Sequence, residues 1–304
     1  MSYDFGKTML IANPAARSGR GARRIEEAES MLASALPTGS FEVRLTERPR
    51  HAEELAAAAE GFQTVLALGG DGLVSEVANG LMTHDPATRP TLGVIPAGSG
   101  NDYAKTLDMS TDIARACQQL LGGTARPVDV GRVNDRWFVE TLSFGLDAAI
   151  ALETMELRTR TKRRGMLLYL ESGFDQLFHH LRSWHYAASF DDRPVTEGES
   201  ITFAVQLGPY YGGGFKICPD ARLDDGVFSL CIAHPPVTVP HAVFLFVRAK
   251  GGHHTGFKQM ELLQARTVHV EFDEAPPAQV DGEPIEDSIF DISIVPNALQ
   301  VIHP

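Results

Sequence analysis

Three glycines and one aspartate form the segment of the chain best suited to chemistry, Gly69-Gly70-Asp71-Gly72, which directly follows the apolar residues 64–68. An apolar run that ends in glycines and continues with helical spacing over residues 73–82 is typical of a strand, a tight turn and a helix. Glycines let backbone N–H groups approach an anion, and the helix dipole adds positive potential. Because Asp71 would repel a bare phosphate, the segment predicts a nucleoside triphosphate bound with Mg²⁺, and an ordinary tight turn is the alternative.

Two other predicted strands end in similar loops. Residues 9–12 lead into Asn13-Pro14 and a cationic, glycine-bearing stretch over residues 15–21, and residues 92–95 lead into PAGSGND at residues 96–102. The carboxyl ends of parallel strands lie along one edge of an open sheet, where ligands bind. We therefore expect the three loops to contribute to one binding site.

Two Asp-Gly turns carry paired carboxylates. Asp281 and Glu283 flank a glycine, and Asp224 and Asp225 precede Gly226. A positioned carboxylate can accept the proton of an attacking alcohol, whereas Mg²⁺ binds carboxylate and carbonyl oxygens. Because Asp-Gly is also a common turn dipeptide, a plain β-hairpin at the first position and a metal-free type I turn at the second are the alternatives.

The composition indicates a globular protein of two domains. The 304 residues are 43% hydrophobic, and three widely spaced cysteines indicate neither a disulfide framework nor a zinc site. The first residues lack the features of a signal peptide, and no run reaches the ~18 apolar residues that cross a bilayer. We therefore expect a cytoplasmic protein that reaches a membrane only from its surface.

The net charge of −12 argues against a nucleic-acid partner. One segment differs, because five of the seven residues 158–164 are cationic and the apolar residues 166–170 follow them. This arrangement is compatible with peripheral contact with anionic lipid headgroups. The alternative is a solvated loop before a core helix, and the pattern favours this alternative over contact with headgroups.

The predicted elements divide the chain near residue 130. Alternating strands and helices indicate an open, mostly parallel α/β domain over residues 1–130, which residues 291–304 are candidates to complete. Residues 131–290 are typical of an antiparallel β-sandwich with helices at residues 165–180 and 240–250. We expect the active site in the cleft between the domains, and an edge strand of the second domain is compatible with a homodimer.

Six motifs, in this order, resemble the diacylglycerol kinase catalytic superfamily, and within it the bacterial soluble lipid kinases. They are NP and SG at residues 13–14 and 18–19, GGDG with Glu76 and NG within residues 69–80, PAGSGND at 96–102, SFGLDA at 143–148, GGG and PDARLDDG within 212–226, and VDGE at 280–283. The resemblance covers most of the chain. It implies ATP-dependent phosphorylation of the hydroxyl group of a lipid such as diacylglycerol or a sphingoid base.

The resemblance also implies roles for individual residues. Glu283 is the implied general base, with Asp281 as its close partner and Asp71 at the nucleotide. A structural Mg²⁺ is implied at the other Asp-Gly turn, bound by the Asp225 side chain and by the carbonyl oxygens of Arg222 and Val227. ATP binding is implied for Asn13, Pro14, Ser18, Thr46, Gly69, Gly70, Asp71, Gly72, Leu73, Val74, Ser75, Glu76, Ser99 and Asn101.

Some positions depart from the diacylglycerol kinase pattern. Leu73 and Ser99 stand where bacterial diacylglycerol kinases usually have threonine, and they resemble the sphingosine and ceramide kinase branch instead. Asn101-Asp102 resembles the diacylglycerol branch, and Ser75 and Glu140 replace residues that are usually asparagine or, for Ser75, also histidine. The mixture leaves the identity of the lipid open.

Two other functions are also compatible with these motifs. NAD kinases and phosphofructokinases share a GGDG turn, which allows a kinase of a soluble hydroxyl compound, but they lack the combination of Asn13-Pro14 with residues 96–101. A non-catalytic lipid or nucleotide sensor on a kinase scaffold is the second alternative. The carboxylates of Asp71, Asp281 and Glu283 argue against a sensor.

Overall fold

The computed structural model describes residues 3–14, 21–161 and 166–304. Internal contacts divide the chain into two compact units. Unit 1 comprises Met1–Val130 and Asn297–Pro304, and unit 2 comprises Gly131–Pro296.

Strands and helices alternate in unit 1, whereas strands dominate unit 2. The elements that begin in unit 1 are β1 (Thr8–Ala12), α1 (Gly21–Ala35), β2 (Phe41–Leu45), α2 (His51–Ala57), β3 (Thr64–Gly69), α3 (Asp71–Leu81), β4 (Thr91–Pro96), α4 (Asp102–Thr106), α5 (Ile113–Gly122) and β5 (Thr124–Val133). Those that begin in unit 2 are β6 (Arg136–Phe138), β7 (Thr141–Gly145), α6 (Leu146–Thr161), α7 (Met166–His179), β8 (Trp184–Phe190), β9 (Thr196–Ser200), β10 (Thr202–Gln206), β11 (Tyr210–Tyr211), β12 (Phe215–Lys216), β13 (Phe228–Ala233), α8 (Val239–Ala249), β14 (Met260–Ala265), β15 (Thr267–Phe272), β16 (Ala278–Val280), β17 (Glu283–Pro284) and β18 (Ile289–His303).

Unit 1 is built on a parallel sheet with the strand order β2-β1-β3-β4-β18. Thr8 of β1 pairs with Thr64 of β3, which pairs with Thr91 of β4, and Val301 of β18 pairs with Leu92. Every residue of β1, β3 and β4 is buried, as expected for a parallel sheet that helices cover on both faces. The prediction of an open, mostly parallel α/β fold is confirmed.

The helices of unit 1 pack closely against one another. A Cβ atom on Gly80 of α3 would lie 2.2 Å from the carbonyl oxygen of Glu53 in α2, so only glycine allows this approach. Two details differ from the predictions, because α3 begins at Asp71 and the short helix α4 was not predicted. The five residues of α4 are too few for an apolar pattern of helical period to be visible in the sequence.

Unit 2 contains two antiparallel sheets. One has the order β14-β13-β10-β7-β16-β17, and the other contains the first part of β18 with β15, β8 and β9. The ring centroids of Phe144 in β7 and Phe290 in β18 are 4.6 Å apart, and those of Phe203 in β10 and Tyr186 in β8 are 5.4 Å apart. Rings from both sheets therefore form a shared core, which confirms the β-sandwich.

The helices α6, α7 and α8 form a second apolar cluster of unit 2 with residues of β10 and β13. Arg158 and Arg160 lie in the last turn of α6, so the prediction of a loop over the whole of residues 158–164 is wrong. Residues 162–165 lie outside the described part of the chain. Alternating arginine and threonine give no apolar period, which explains why the sequence predicts no helix there. Within the described ranges, no helix combines the length and the apolar character needed to cross a bilayer.

Candidate functional site

The carboxyl ends of the parallel strands in unit 1 meet at one edge of the sheet. The strands β1, β2, β3 and β4 all run in the same direction. The backbone N–H of Thr46 donates to the carbonyl oxygen of Ala12 at 2.9 Å, and the N–H of Ala97 donates to that of Gly69 at 2.6 Å. The loops that follow these strands therefore lie side by side.

The loop after β1 is only partly described. Asn13 and Pro14 are partly buried at the end of β1, and Thr46 is buried at the end of β2. Ser18 lies outside the described residues, as do Arg17 and the rest of residues 15–20. The contact of Ser18 with ATP stays a prediction.

The loops after β3 and β4 touch through two glycines. A Cβ atom on Gly98 would lie 2.3 Å from the Cα atom of Gly70. Gly70 has an extended backbone with φ −100° and ψ −175°, which any residue can adopt. Glycine is required here because the two backbones approach each other closely. Gly72 differs, because a Cβ atom at that position would meet nothing within 4 Å. The first turn of α3 is thus open on the side of Gly72.

The Asp71 carboxylate lies at the N-terminus of α4. Its Oδ1 accepts a hydrogen bond from the backbone N–H of Tyr103 at 3.3 Å, and the N–H groups of Asn101 and Asp102 also face it. Burial and the negative charge of Asp102 raise the pKa of Asp71 to about 7, although the three N–H groups counteract this shift. A bound cation would lower the pKa again and would offset the cost of burying the charge.

Lys105 completes this cluster, although the sequence analysis did not single it out. Its Nζ lies 2.7 Å from Oδ1 of the buried Asp102, three residues earlier in α4. The sequence signal that could have identified Lys105 is the i, i+3 spacing of opposite charges, because side chains at this spacing meet on one face of a helix. Because Lys105 balances Asp102, an ionised Asp71 gives the three side chains one net negative charge.

Asn101 shapes the loop after β4. Its backbone is left-handed, with φ 56° and ψ 45°, which asparagine tolerates better than most residues. Its Oδ1 accepts from the N–H of Gly98 at 2.8 Å, and its Nδ2 donates to the carbonyl oxygen of Gly98 at 3.0 Å. The side chain therefore fixes the conformation of the loop, while Ser99 at its tip is exposed.

The side chains that follow Asp71 face the interior of unit 1. Leu73, Val74 and Ser75 are buried, and the N–H groups of Leu73 and Val74 donate to the carbonyl oxygen of Gly70 at 2.9 and 3.1 Å, so the contact of these three residues with ATP stays a prediction. Oε2 of Glu76 accepts from the N–H of Ala52 at 3.1 Å, in the first turn of α2, where a negative charge stabilises the helix. Glu76 therefore stabilises the start of α2, which is an alternative to its implied role in nucleotide binding.

In unit 2, the predicted catalytic pair lies on a two-residue hairpin. Val280 of β16 pairs with Glu283 of β17. The intervening Asp281 and Gly282 have φ values of 47° and 89°, as in a type I′ turn, which Asp-Gly favours. Glu283 is exposed at the start of β17.

Asp281 is buried and anchors this hairpin to the segment before β7. Its carboxylate accepts hydrogen bonds from the backbone N–H groups of Val139 at 2.9 Å, Glu140 at 3.0 Å and Thr141 at 2.9 Å. These contacts make Asp281 a positioning residue for the hairpin. They leave Glu283 as the exposed carboxylate of the predicted pair.

The second Asp-Gly turn precedes β13. Gly226 has φ 73°, and the N–H of Val227 donates to Oδ1 of the exposed Asp225 at 3.3 Å. Arg222 pairs with Asp224 at 3.2 Å between Nε and Oδ1. In the described part of the chain, no three His, Cys, Asp or Glu side chains are grouped as metal ligands, so a metal at this turn would depend on backbone carbonyl oxygens.

Family models match both units of the chain. The model of the diacylglycerol kinase catalytic domain matches residues 7–133. The model described as the YegS C-terminal NAD kinase beta sandwich-like domain matches residues 140–303.

Relatives and a solved structure cover most of the chain. The diacylglycerol kinase of Bacillus subtilis (strain 168) is 34% identical over 235 residues, which are 77% of this chain and 75% of that protein. A protein of Xanthomonas oryzae pv. oryzae (strain MAFF 311018), named probable lipid kinase YegS-like, is 32% identical over 275 residues and 87% of each chain. A crystal structure of a diacylglycerol kinase from Bacillus anthracis str. Sterne aligns over 100% of this chain and 98% of its own with a TM-score of 0.75, and its 21% identity supports a shared fold alone.

Proposed function

Because this chain belongs to the diacylglycerol kinase catalytic family, we propose that it transfers the γ-phosphoryl group of ATP to the hydroxyl group of a lipid such as diacylglycerol or a sphingoid base. The observation that carries the proposal is the packing of the loops after β3 and β4, backbone against backbone at Gly70 and Gly98, with the raised-pKa carboxyl of Asp71 beside them. Loops held this closely present backbone N–H groups and a carboxylate on one edge.

The nucleotide fits this edge on two grounds. The N–H groups of Leu73 and Val74 donate to the carbonyl oxygen of Gly70, so those of Asp71 and Gly72 are the N–H groups at the start of α3 that suit an anion, and the open space at Gly72 lets it approach them. Asn13, Thr46 and the exposed Ser99 offer an amide and hydroxyl groups along the same edge. ATP with Mg²⁺ supplies an activated phosphoryl group whose negative charge the metal offsets.

Asp71 is the residue we assign to the metal-bound phosphates. Its side chain is partly buried, and its raised pKa reflects a cost of carrying charge that the three nearby N–H groups offset only in part. A divalent cation compensates that penalty, whereas a bare phosphate would add to it. Lys105 stays with Asp102 and keeps the second carboxylate balanced.

Glu283 is the residue we assign as proton acceptor for the lipid alcohol. Its carboxylate is exposed, and the three hydrogen bonds to Asp281 fix the hairpin that carries it. A general base needs both a fixed backbone and an accessible carboxylate. Asp281 then acts through Glu283 rather than on the substrate.

We also propose a structural Mg²⁺ at the turn before β13. The Asp225 side chain and the carbonyl oxygens of Arg222 and Val227 would be its protein ligands. The support is the tight turn at Gly226, with φ 73°, and the exposed carboxylate of Asp225. Thermal unfolding tests it, since added Mg²⁺ should raise the Tm of the wild type and leave that of Asp225→Ala unchanged; equal responses of both proteins would refute the site.

Contact with a membrane surface is the second part of the proposal. The outer faces of α7 and α8 carry exposed apolar side chains, among them Leu167 and Phe178 at 76% and 59% exposure and Val247 at 58%. Leu167 and Phe178 are eleven residues apart, three helical turns along one face of α7. Arg248 of α8 and Arg160 of α6 are exposed cations of the same unit that suit anionic headgroups.

Sedimentation with vesicles of phosphatidylglycerol and phosphatidylcholine tests this contact. Phe178→Ser and Val247→Ser should weaken binding, because each removes an apolar side chain that would insert between lipids. Leu262→Ser, at an exposed apolar position of β14, is the matched control and should bind as the wild type does. Equal binding of all four proteins would remove the membrane contact.

Radiolabelled ATP and a panel of acceptors test the proposed reaction. Diacylglycerol, sphingosine, ceramide and phosphatidylglycerol represent lipids, and NAD and sugars represent soluble hydroxyl compounds. Label in a lipid supports the proposal, and label in NAD or a sugar would replace it with the soluble-substrate alternative. Binding of ATP with no labelled product would favour a sensor.

A further inference from the structure

Two segments of unit 2 contain no acidic residue, although the chain as a whole has a net charge of −12. Residues 200–219 and 226–260 hold no Asp or Glu. Their cationic residues are Lys216, Arg248, Lys250 and Lys258. The segments lie together, because β10 pairs with β13 and a Cβ atom on Gly252 would lie 3.3 Å from the Cβ of Lys216. Together they carry a positive charge that the proposed phosphoryl transfer does not explain.

The loop between β11 and β12 is the GGG motif of the sequence. Gly212, Gly213 and Gly214 all have left-handed backbones, with φ values of 60°, 82° and 102°. A Cβ atom on Gly212 would lie 2.6 Å from the ring of Tyr169, near the start of α7. Nζ of Lys250, at the end of α8, donates to the carbonyl oxygen of Gly213 at 2.9 Å. The loop is therefore held between α7 and the end of α8.

Two lysines flank this glycine loop and extend over aromatic rings. Nζ of Lys216 lies 5.2 Å from the ring centroid of Tyr210, and Nζ of Lys250 lies 4.9 Å from that of Phe215. The hydrocarbon stems pack against apolar surface while the charged ends reach water. A ring or a carbonyl oxygen orients an ammonium group but has no net negative charge to neutralise it. The two charges are therefore suited to an anionic ligand.

Exposed apolar side chains border these charges on α8. Val247 is 58% exposed and precedes Lys250 by three residues, so the two side chains share one face at the end of the helix. Phe244 is 46% exposed, and Cζ of Arg248 lies 5.8 Å from its ring centroid. Apolar side chains beside cations are typical of a helix that lies in the interface of an anionic membrane.

We propose that Lys216 and Lys250 bind the phosphate of an anionic phospholipid, while Phe244 and Val247 insert between the neighbouring lipids. Ammonium groups form charge-assisted hydrogen bonds with phosphate oxygens. The choline group of a zwitterionic lipid balances its own phosphate and repels the lysines, so this surface should distinguish the two classes of lipid. The inference rests on the membrane contact proposed above and specifies which lipids take part in it.

Sedimentation with two kinds of vesicle tests the proposal, one of phosphatidylcholine alone and one of phosphatidylcholine mixed with phosphatidylglycerol. Lys216→Gln and Lys250→Gln should each bind the mixed vesicles about fivefold more weakly than the wild type does, and the neutral vesicles equally well. Lys7→Gln is the matched control and should bind as the wild type does, because Lys7 is an exposed lysine of unit 1 whose Nζ also lies over a ring, 4.1 Å from the centroid of Phe62. Each variant removes one positive charge, so equal binding by all three would overturn the proposal.

Lys250→Arg separates the charge from the structure of the loop. Because Lys250 also holds the loop through Gly213, its loss has a structural effect besides the electrostatic one. The arginine keeps the positive charge, and this variant should bind the mixed vesicles as the wild type does. Binding as weak as that of Lys250→Gln would assign the loss to the loop and overturn the proposal.

Inorganic phosphate distinguishes a lipid from a soluble ligand. Exchanged for chloride at constant ionic strength, it should not release the wild type from the mixed vesicles, because free phosphate offers neither neighbouring anions nor an apolar phase for α8. Release by phosphate would assign the surface to a soluble phosphate compound and overturn the proposal.

The membrane contact and this inference can fail separately. If Phe178→Ser loses binding while Lys216→Gln and Lys250→Gln match Lys7→Gln, the membrane contact stands and the phosphate site is refuted. If the wild type binds neither kind of vesicle, both are refuted. Since the titrations contain no ATP, neither outcome depends on phosphoryl transfer.

Discussion

Asp281→Asn should destabilise unit 2 strongly, although the two side chains have almost the same shape. The Asp281 carboxylate accepts three buried backbone N–H groups, two at Oδ1 and one, from Val139, at Oδ2. In the variant, one oxygen becomes an NH₂ group that faces an N–H donor, and the remaining two bonds lose their charge. An unsatisfied buried donor costs about 1–3 kcal/mol and the weaker bonds add to it, so we expect a loss of about 3 kcal/mol.

Differential scanning calorimetry measures this loss. For a domain of this size, about 3 kcal/mol corresponds to a fall in Tm of about 6–12 °C. Glu283→Gln is the matched control on the same hairpin, because its side chain is exposed and the substitution should change the stability by no more than about 0.5 kcal/mol. If Asp281→Asn unfolded at the temperature of the wild type, the three hydrogen bonds would not anchor the hairpin, and the assignment of Asp281 as a positioning residue would be wrong.

Three further predictions concern the remaining polar and glycine positions. Gly98→Ala should cost about 1–3 kcal/mol of stability, because its Cβ would lie 2.3 Å from the Cα of Gly70, whereas Gly72→Ala, in open space, should leave calorimetric stability unchanged and weaken ATP binding alone. Asn101→Ala should lower the Tm and Asn101→Gly should restore part of it, since alanine loses both side-chain hydrogen bonds and disfavours φ 56°, which glycine accepts. Because the pKa values of Asp71 and Asp147 are raised from 3.8 to about 7, the folded chain holds these protons more tightly than the unfolded chain, so the free energy of unfolding should fall as the pH rises from 4 to 7, and Asp147→Leu should reduce this slope in denaturant titrations.

The parallel sheet of unit 1 was predictable because its signal is local. Each of its central strands is a continuous apolar run that ends in glycine, asparagine or proline, and a buried parallel strand requires such a run. The hairpin at Asp281-Gly282 was predictable for a similar reason, since the dipeptide alone favours a type I′ turn.

The roles of the carboxylates were harder to predict, because they depend on contacts between distant parts of the chain. Asp281 and Asp71 look alike in sequence as acids beside glycine, yet the first binds N–H groups some 140 residues away and the second faces the N-terminus of α4. Nothing in residues 143–148 indicates that Asp147 is buried, because a sequence pattern does not contain the packing of α7 and α8 against α6. Only the structure therefore shows which of these carboxylates are buried and which backbone N–H groups they accept from.

The central claim is that a carboxylate at residue 283 accepts the proton of a lipid alcohol during transfer from ATP. Single-turnover transfer of labelled phosphate by Glu283→Gln, beside Glu286→Gln as an exposed control on the same segment, tests it most directly. We predict that the rate of Glu283→Gln falls by at least about 100-fold with an unchanged Kd for ATP, while Glu286→Gln reacts like the wild type. A Glu283→Gln protein that transfers phosphate at the wild-type rate would contradict the account.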